Sequence, residues 1–208
     1  MNIVLFLIKP MKKLIIAALL SCGLLSVNGQ IFDYQAVLSG PGESPANVSP
    51  GFGVADVVFN STANTLRVTL TFSDLLGTTT ASHIHAATTN AFSGTAGVAT
   101  TTPTFAGFPL GVTSGSYSNT LDLTAASSYN PAYVTANGGT TATAEAALTS
   151  ALAAGEAYLN IHTTLFPGGE IRGFLVPVPE PSSLALLGLG GLGLAGRRWI
   201  NCRATRRI

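Results

Sequence analysis

The chain contains three histidines, and their types and spacing could hold a metal ion. His83 and His85 lie in the stretch ASHIHAATTN, separated by one residue, and His162 lies in YLNIHTT. Alternate residues of a β-strand face the same side, about 6.5–7 Å apart along the chain. If the strand that carries His162 is a neighbour, three imidazoles converge. Three nitrogen donors with an open fourth position suit copper or zinc.

A second interpretation of the histidines stays open at this point. All three could be polar-face residues that form hydrogen bonds within a strand ladder, which is the usual role of a single histidine in a sheet. The two interpretations differ in geometry, because a metal site requires one nitrogen of each ring to lie within about 5 Å of the others. No aspartate or cysteine lies close in sequence, so a second metal is not predicted.

The stretch PGGEIRG places Glu170 and Arg172 two residues apart, on one face of a predicted strand. An unpaired buried guanidinium is costly, so we predict a structural ion pair between these two residues that fixes the last strand. Alternatively, Glu170 and Arg172 could orient the histidines by contacting the rings without contacting the metal ion. The sequence has no G-x-S-x-G elbow and no G-x-x-x-x-G-K loop, and we therefore predict no enzymatic activity.

The elements that must position these residues belong to the middle of the chain, which is acidic. Only 9% of all residues are charged, and between residues 30 and 176 two arginines face eight acidic residues, a net charge near −6. Arg67 and Arg172 are those two arginines. A basic patch is absent from this segment, so nucleic acid is not an expected partner.

The segment 30–176 has the pattern of one antiparallel β domain. Short runs rich in Val, Thr, Tyr and Phe alternate in polarity and are separated by Gly, Pro, Asn and Ser. One helix is predicted in TAEAALTSALAAG, where Gly155 is well placed to end it, and the polar run 124–142 is predicted to be loop. The predicted strands are 31–38, 52–59, 65–72, 81–86, 96–101, 115–123, 156–162 and 169–176. The apolar stripe of the helix comprises Ala144, Ala147, Leu148, Ala151 and Leu152.

Residues 1–29 are predicted to be a secretory signal peptide. In MKKLIIAALLSCGLLSVNGQ two lysines precede an apolar run, and Val27 and Gly29 provide the small residues of a cleavage site. We expect translation to start at Met11, because the ten mostly apolar residues before it are awkward in front of such a signal. A transmembrane helix and a lipoprotein that uses Cys22 are the alternatives. The short apolar run disfavours the first, and an unsuitable residue two positions before Cys22 disfavours the second.

The segment 177–208 has three parts, namely Pro179-Glu180-Pro181, an apolar Gly/Leu stretch and Arg197-Arg198. Its order of parts resembles the PEP-CTERM sorting signal of exopolysaccharide-producing Gram-negative bacteria. The resemblance implies an exosortase-type enzyme as partner, removal of a membrane-anchored tail, and delivery to the cell surface or extracellular matrix. A permanent C-terminal membrane anchor is the alternative. The apolar stretch is short for one, since about 15 helical residues span roughly 22 Å of a hydrocarbon core about 30 Å thick.

The segment 30–176 resembles the CHRD domain, first described in chordin and found in many bacterial exported proteins. The resemblance rests on FDYQAVLSGPGESPANVSPGFGVADVVFNSTANTLRVTLTF, SHIHAA and GEAYLNIHTTLFPGGEIRGFL, and it covers nearly all of 32–175. It implies an all-β fold, an immunoglobulin-like antiparallel sandwich or barrel similar to that of copper/zinc superoxide dismutase, here with one short helix. An H-x-H strand pair supplies copper ligands in the dismutase fold, so the resemblance favours copper as cofactor. It implies no known reaction.

These observations support two main classes of function. The first is a non-enzymatic surface or matrix module that binds an exopolysaccharide or a surface protein through its loops. The second is a copper-binding or redox domain that uses the three histidines. A third class of function is that of an envelope component without a ligand. A dismutase itself is not expected, because the acidic domain offers few positive charges to steer an anion.

Overall fold

The computed structural model describes residues 30–179. The predicted signal peptide and the tail from Glu180 onward, with the apolar stretch and Arg197-Arg198, lie outside this range. In chain order the strands and helices are β1 (Ile31–Ser39), β2 (Phe52–Asn60), β3 (Thr65–Ser73), β4 (Thr79–His85), β5 (Gly115–Asp122), α1 (Pro131–Ala136), α2 (Thr141–Ala154), β6 (Tyr158–Thr163), β7 (Ile171–Phe174) and β8 (Val176–Pro177).

All the strands belong to one curled antiparallel sheet. Their order is β4-β6-β7-β1-β2-β3-β5, and β8 pairs with β1 beside β7. The first strand of the domain therefore lies next to the last ones, with Ser39 opposite Arg172 and Tyr34 opposite Pro177. The predicted all-β, antiparallel fold class is confirmed.

The two faces of the sheet follow the alternation in the sequence. In β3, the residues Leu66, Val68 and Leu70 are fully buried, while Arg67 and Thr71 are exposed. Burial of an aliphatic side chain of this size stabilises the fold by about 1.5–3 kcal/mol. The inner face of the curled sheet thus forms the core, and the strand boundaries of β1, β2 and β3 lie within one residue of those predicted.

The predicted helix is α2, and both of its ends are fixed by local interactions. The side chain of Thr140 accepts a hydrogen bond from the backbone of Thr143, in a capping box. Gly155 ends the helix with φ of 72°, and a β-carbon there would collide with the ring of Phe92. Within residues 30–179, neither α-helix has the length and apolar character needed to cross a bilayer.

The predicted strand 96–101 is wrong. This segment forms only isolated bridges, of Val98 with His85 and of Thr100 with Tyr129. The backbone of Ala99 donates to the carbonyl of Ile84, so the segment runs along the edge of β4 as an irregular loop. The composition that predicted a strand therefore belongs to a loop that lies beside β4, with Ala99 and Thr100 buried, and not to a strand of the ladder.

The prediction of a loop over 124–142 is also partly wrong, because it contains a 3-10 turn at Ala126–Ser128 and the helix α1. The side chain of Asn130 caps α1 by accepting a hydrogen bond from the backbone of Ala132, and Pro131 occupies its first turn. Asn followed by Pro is a recognised start of a helix. This start signal is present in the sequence, but the polar composition of residues 124–142 favours the prediction of a loop.

Candidate metal centre

The three histidines lie on neighbouring strands and face one another. Strand β4 pairs antiparallel with β6, with Ala81 opposite His162 and His83 opposite Asn160. The ring centroids of His83 and His162 are 5.1 Å apart, and that of His85 lies 5.7 Å from the first and 6.0 Å from the second. One nitrogen of each ring lies within 4.8 Å of the other two. The structure therefore has the convergence that a metal site requires.

Each histidine forms a hydrogen bond to a loop carbonyl through one ring nitrogen, the outer nitrogen; its other ring nitrogen is the inner nitrogen. The three contacts are His83 Nε2 to Pro103 O at 2.5 Å, His85 Nδ1 to Ala96 O at 3.0 Å and His162 Nδ1 to Pro167 O at 2.8 Å. A carbonyl oxygen can only accept a hydrogen bond, so each neutral ring must carry its proton on this outer nitrogen. The inner nitrogen of each ring is then left with its lone pair. Outer hydrogen bonds of this kind orient metal-binding histidines in proteins.

The inner nitrogens have no hydrogen-bond partner. They are Nδ1 of His83, Nε2 of His85 and Nε2 of His162, and all three atoms are buried. An unpaired buried acceptor costs about 1–3 kcal/mol, and three lone pairs that converge also repel one another. A bound cation removes both costs. Histidines that served only as polar residues of a strand ladder would not need to bring three bare acceptors together.

Burial keeps the three rings neutral. It lowers the pKa of His83 and of His162 below the ordinary value, and it lowers the pKa of His85 to about 4. The bonds to loop carbonyls oppose this effect, and repulsion from the neighbouring rings adds to it for His83 and His85. The neutral imidazole is the form that binds a metal ion, so at neutral pH protons compete only weakly for the site.

An aromatic ring and a guanidinium support His85 from the side. The ring of His85 stacks on that of Tyr158, with centroids 4.7 Å apart and planes at 4°. The guanidinium of Arg172 lies 4.7 Å from the centroid of the Tyr158 ring. Tyr158 had not been predicted as a site residue. Its alternate spacing with Asn160 and His162 along β6 was the available signal, because these three side chains share a face.

The predicted ion pair between Glu170 and Arg172 is not formed. The guanidinium of Arg172 instead lies 3.9 Å from the carboxylate of Glu43, and it donates to the carbonyls of Gly42 and Gly94. Strand β7 begins only after Glu170, so the two side chains do not share a pleated face as the i, i+2 spacing suggested. Arg172 is buried and has a carboxylate partner as expected, but that partner comes from the loop after β1.

The carboxylate of Glu170 joins two loops to β6. It accepts hydrogen bonds from the hydroxyls of Ser49 at 2.6 Å and Thr163 at 2.7 Å, and from the backbone of Leu76 at 2.5 Å and Gly77 at 3.0 Å. Burial raises the pKa of Glu170, but these hydrogen bonds lower it more, and its pKa lies below the ordinary value. The contacts of Glu170 are therefore structural, and none of them is with the three histidines.

Glu43 connects Arg172 to the histidine face of β6. Its Oε1 accepts a hydrogen bond from Nδ2 of Asn160 at 2.8 Å. Burial raises the pKa of Glu43 to about 7, although Arg172 and the backbone of Ser44 lower it. Gly169 passes close to this contact with φ of 131°, and a β-carbon there would collide with both side chains. Glu43 was not predicted as a site residue, because nothing in the loop GPGESP indicates which distant residues this acid contacts.

Two family models match the chain. Residues 34–175 match the CHRD domain, a segment that contains the three histidines and their supporting residues. Residues 177–198 match the PEP-CTERM protein-sorting motif, which includes Pro179-Glu180-Pro181 and Arg197-Arg198. No match was found among curated proteins or among solved structures.

Proposed function

The chain belongs to the CHRD domain family, and from that premise we propose that it is an exported, non-enzymatic module that binds one transition-metal ion, copper, through His83, His85 and His162. The convergence of the three histidines is the observation that carries the proposal. One nitrogen of each ring lies within 4.8 Å of the other two, and each ring has one buried nitrogen without a hydrogen-bond partner.

The sorting motif supplies the destination. It implies that an exosortase-type enzyme processes the chain and that an anchored precursor is sorted to the cell surface. The finer destination is part of the proposal, namely the surface or extracellular matrix of a Gram-negative bacterium. An exopolysaccharide or a surface protein in that setting would contact the loops of the domain rather than the buried histidines.

Copper is favoured over zinc by the donor set. Imidazole nitrogens bind both ions, and for a given set of such donors the affinity for divalent copper exceeds that for zinc. The low pKa values of the rings support binding at neutral pH. A non-enzymatic role is supported by limited access to the rings, because His83 is 6% exposed and His85 is 8% exposed, while His162 is half-buried.

The test is a titration of the purified full-length chain with Cu(II) and, separately, with Zn(II). Thiols also bind copper, so the background carries Cys22→Ser and Cys202→Ser, the two cysteines of the chain. We expect one ion per chain, with copper bound more tightly than zinc, by calorimetry and by metal analysis after gel filtration. Copper binding that is unchanged when all three histidines are replaced by alanine would show that the cluster is only structural.

The sorting part of the proposal predicts a change in processing. Glu180→Ala removes the only charge of the Pro-Glu-Pro motif, so in a host that carries an exosortase the uncleaved precursor should accumulate severalfold. The measurement is the ratio of precursor to mature chain by immunoblot. Asp74→Asn is the control, because it removes an exposed carboxylate within the domain. An equal ratio in the Glu180→Ala chain and the control would contradict the assignment.

A further inference from the structure

We propose that Asn160 supplies the fourth donor of this metal centre, through its side-chain oxygen Oδ1, and that the site is therefore built for divalent copper. The inference rests on the proposed metal-binding function and extends it to the coordination and the oxidation state of the ion.

The first observation is a set of four unpaired atoms. Within residues 30–179, the buried side-chain nitrogen and oxygen atoms without a hydrogen-bond partner are the inner nitrogens of the three histidines and Oδ1 of Asn160. Buried polar atoms in folded proteins are almost always paired, so each exception calls for an explanation. A cation that the histidines hold would explain three of these atoms, and the same ion explains the fourth.

The second observation is the position of Asn160 in the sheet. It lies on β6 between Tyr158 and His162, which share its face, and it is directly opposite His83 on β4. Directly opposite residues of an antiparallel pair have β-carbons about 4.5–5.5 Å apart. His83 offers Nδ1, the ring nitrogen nearer to the backbone. An ion bound to that nitrogen therefore lies close to the backbone of the strands, within reach of a side chain as short as asparagine.

The third observation fixes which atom of the amide faces the site. Nδ2 of Asn160 donates a hydrogen bond to Oε1 of Glu43 at 2.8 Å. This bond uses the amide nitrogen, so Oδ1 is the atom of the amide that has no partner. The same carboxylate lies 3.9 Å from Arg172, which holds it beside β6 and β7. The amide is thus held by its nitrogen, and its oxygen is left as a bare acceptor.

The resulting donor set has three nitrogens and one neutral oxygen. Monovalent copper prefers soft thiolate and thioether donors, whereas imidazole and oxygen donors suit divalent copper. The oxygen donor of Asn160 therefore favours the binding of Cu(II) over that of Cu(I). Removing it should weaken the binding of Cu(II) and leave the binding of Cu(I), which the imidazoles alone hold, nearly unchanged.

The experiment compares wild-type chain with Asn160→Ala, both in the cysteine-free background. We expect Cu(II) affinity to fall by more than about 100-fold, because loss of an outer partner of a metal ligand already costs about 10–100-fold, and Cu(I) affinity to change less than about threefold. The electron paramagnetic resonance spectrum of bound Cu(II) should change as well. Asn119→Ala, at a half-buried position on the edge strand β5, at the opposite end of the sheet order from β4, is the matched control and should bind like wild type.

Asn160 is buried, so Asn160→Ala could fail to fold, and a second measurement uses wild-type chain alone. In a crystal structure with copper, Oδ1 of Asn160 should lie about 2.0–2.5 Å from the ion. An ion that holds three histidine nitrogens but is separated from Oδ1 by a water molecule would overturn the inference and leave the proposed function intact. Wild-type chain that binds no copper would overturn both.

Discussion

Changing His85 to alanine is expected to weaken Cu(II) binding by more than about 100-fold, because loss of an outer partner of a ligand already costs 10–100-fold and loss of the ligand itself costs more. His85 is the most informative of the three, since its ring has the strongest support. It stacks on Tyr158, bonds the carbonyl of Ala96, and lies within contact of both other rings. The measurement is a competition titration against a chelator of known affinity.

The metal-free His85→Ala chain should remain folded, because the change also removes one of three lone pairs that repel one another. Circular dichroism of the metal-free chain checks this. Tyr158→Phe is the matched control, since it keeps the ring that stacks on His85 and removes only the hydroxyl that bonds the backbone of Ala96. We expect it to bind copper within about tenfold of wild type. Equal affinities for His85→Ala and Tyr158→Phe would refute the three-histidine site.

Changing Arg172 to alanine is expected to reduce the free energy of unfolding by about 3–5 kcal/mol, the cost of breaking a buried ion pair from one side. The guanidinium is buried, donates to two loop carbonyls, and lies over the Tyr158 ring. Its removal leaves the carboxylate of Glu43 without the cation that lies 3.9 Å away. The carbonyls of Gly42 and Gly94 also lose the donor that they share. Denaturant-induced unfolding of the metal-free chain measures the change.

The other arginine of the domain provides the control for this prediction. Arg67 lies 3.7 Å from Asp56, and the two side chains are 52% and 39% exposed. Surface ion pairs contribute about 0–1 kcal/mol, so Arg67→Ala should be nearly neutral. If Arg172→Ala proved as mild as Arg67→Ala, the Glu43–Arg172 contact would have to be dispensable, and the support that we assign to Tyr158 would have no energetic basis.

The parts of the structure that sequence predicts well are those that short-range patterns encode. The alternation of Leu66, Val68 and Leu70 with polar residues specifies both a strand and its buried face, because side chains on a strand point to opposite sides in turn. The same rule places His83 and His85 on one face. The helix α2 follows from its apolar stripe and from Gly155 at its end.

The partners of the buried charges could not be predicted from such patterns. Glu43 and Asn160 are 117 positions apart in sequence, and nothing in either neighbourhood refers to the other. Their contact depends on the sheet order, which places the loop after β1 beside β6 and β7. The prediction for Glu170 and Arg172 failed for this reason: their spacing along the chain is local, while the groups that satisfy each of them come from distant loops.

Strand β8 sets a limit on how the sorting motif can be reached. The backbone of Val178 donates to the carbonyl of Asp33 at 2.8 Å, so the chain is attached to β1 up to the start of the motif. The matched motif begins at residue 177, so its first residues belong to this paired segment. A processing enzyme must therefore work against the folded sheet or first peel β8 from it. The pairs of β8 with Tyr34 and Gln35 and the bond of Val178 hold this segment, and both residues of β8 are exposed, so peeling lengthens the accessible segment without opening the core.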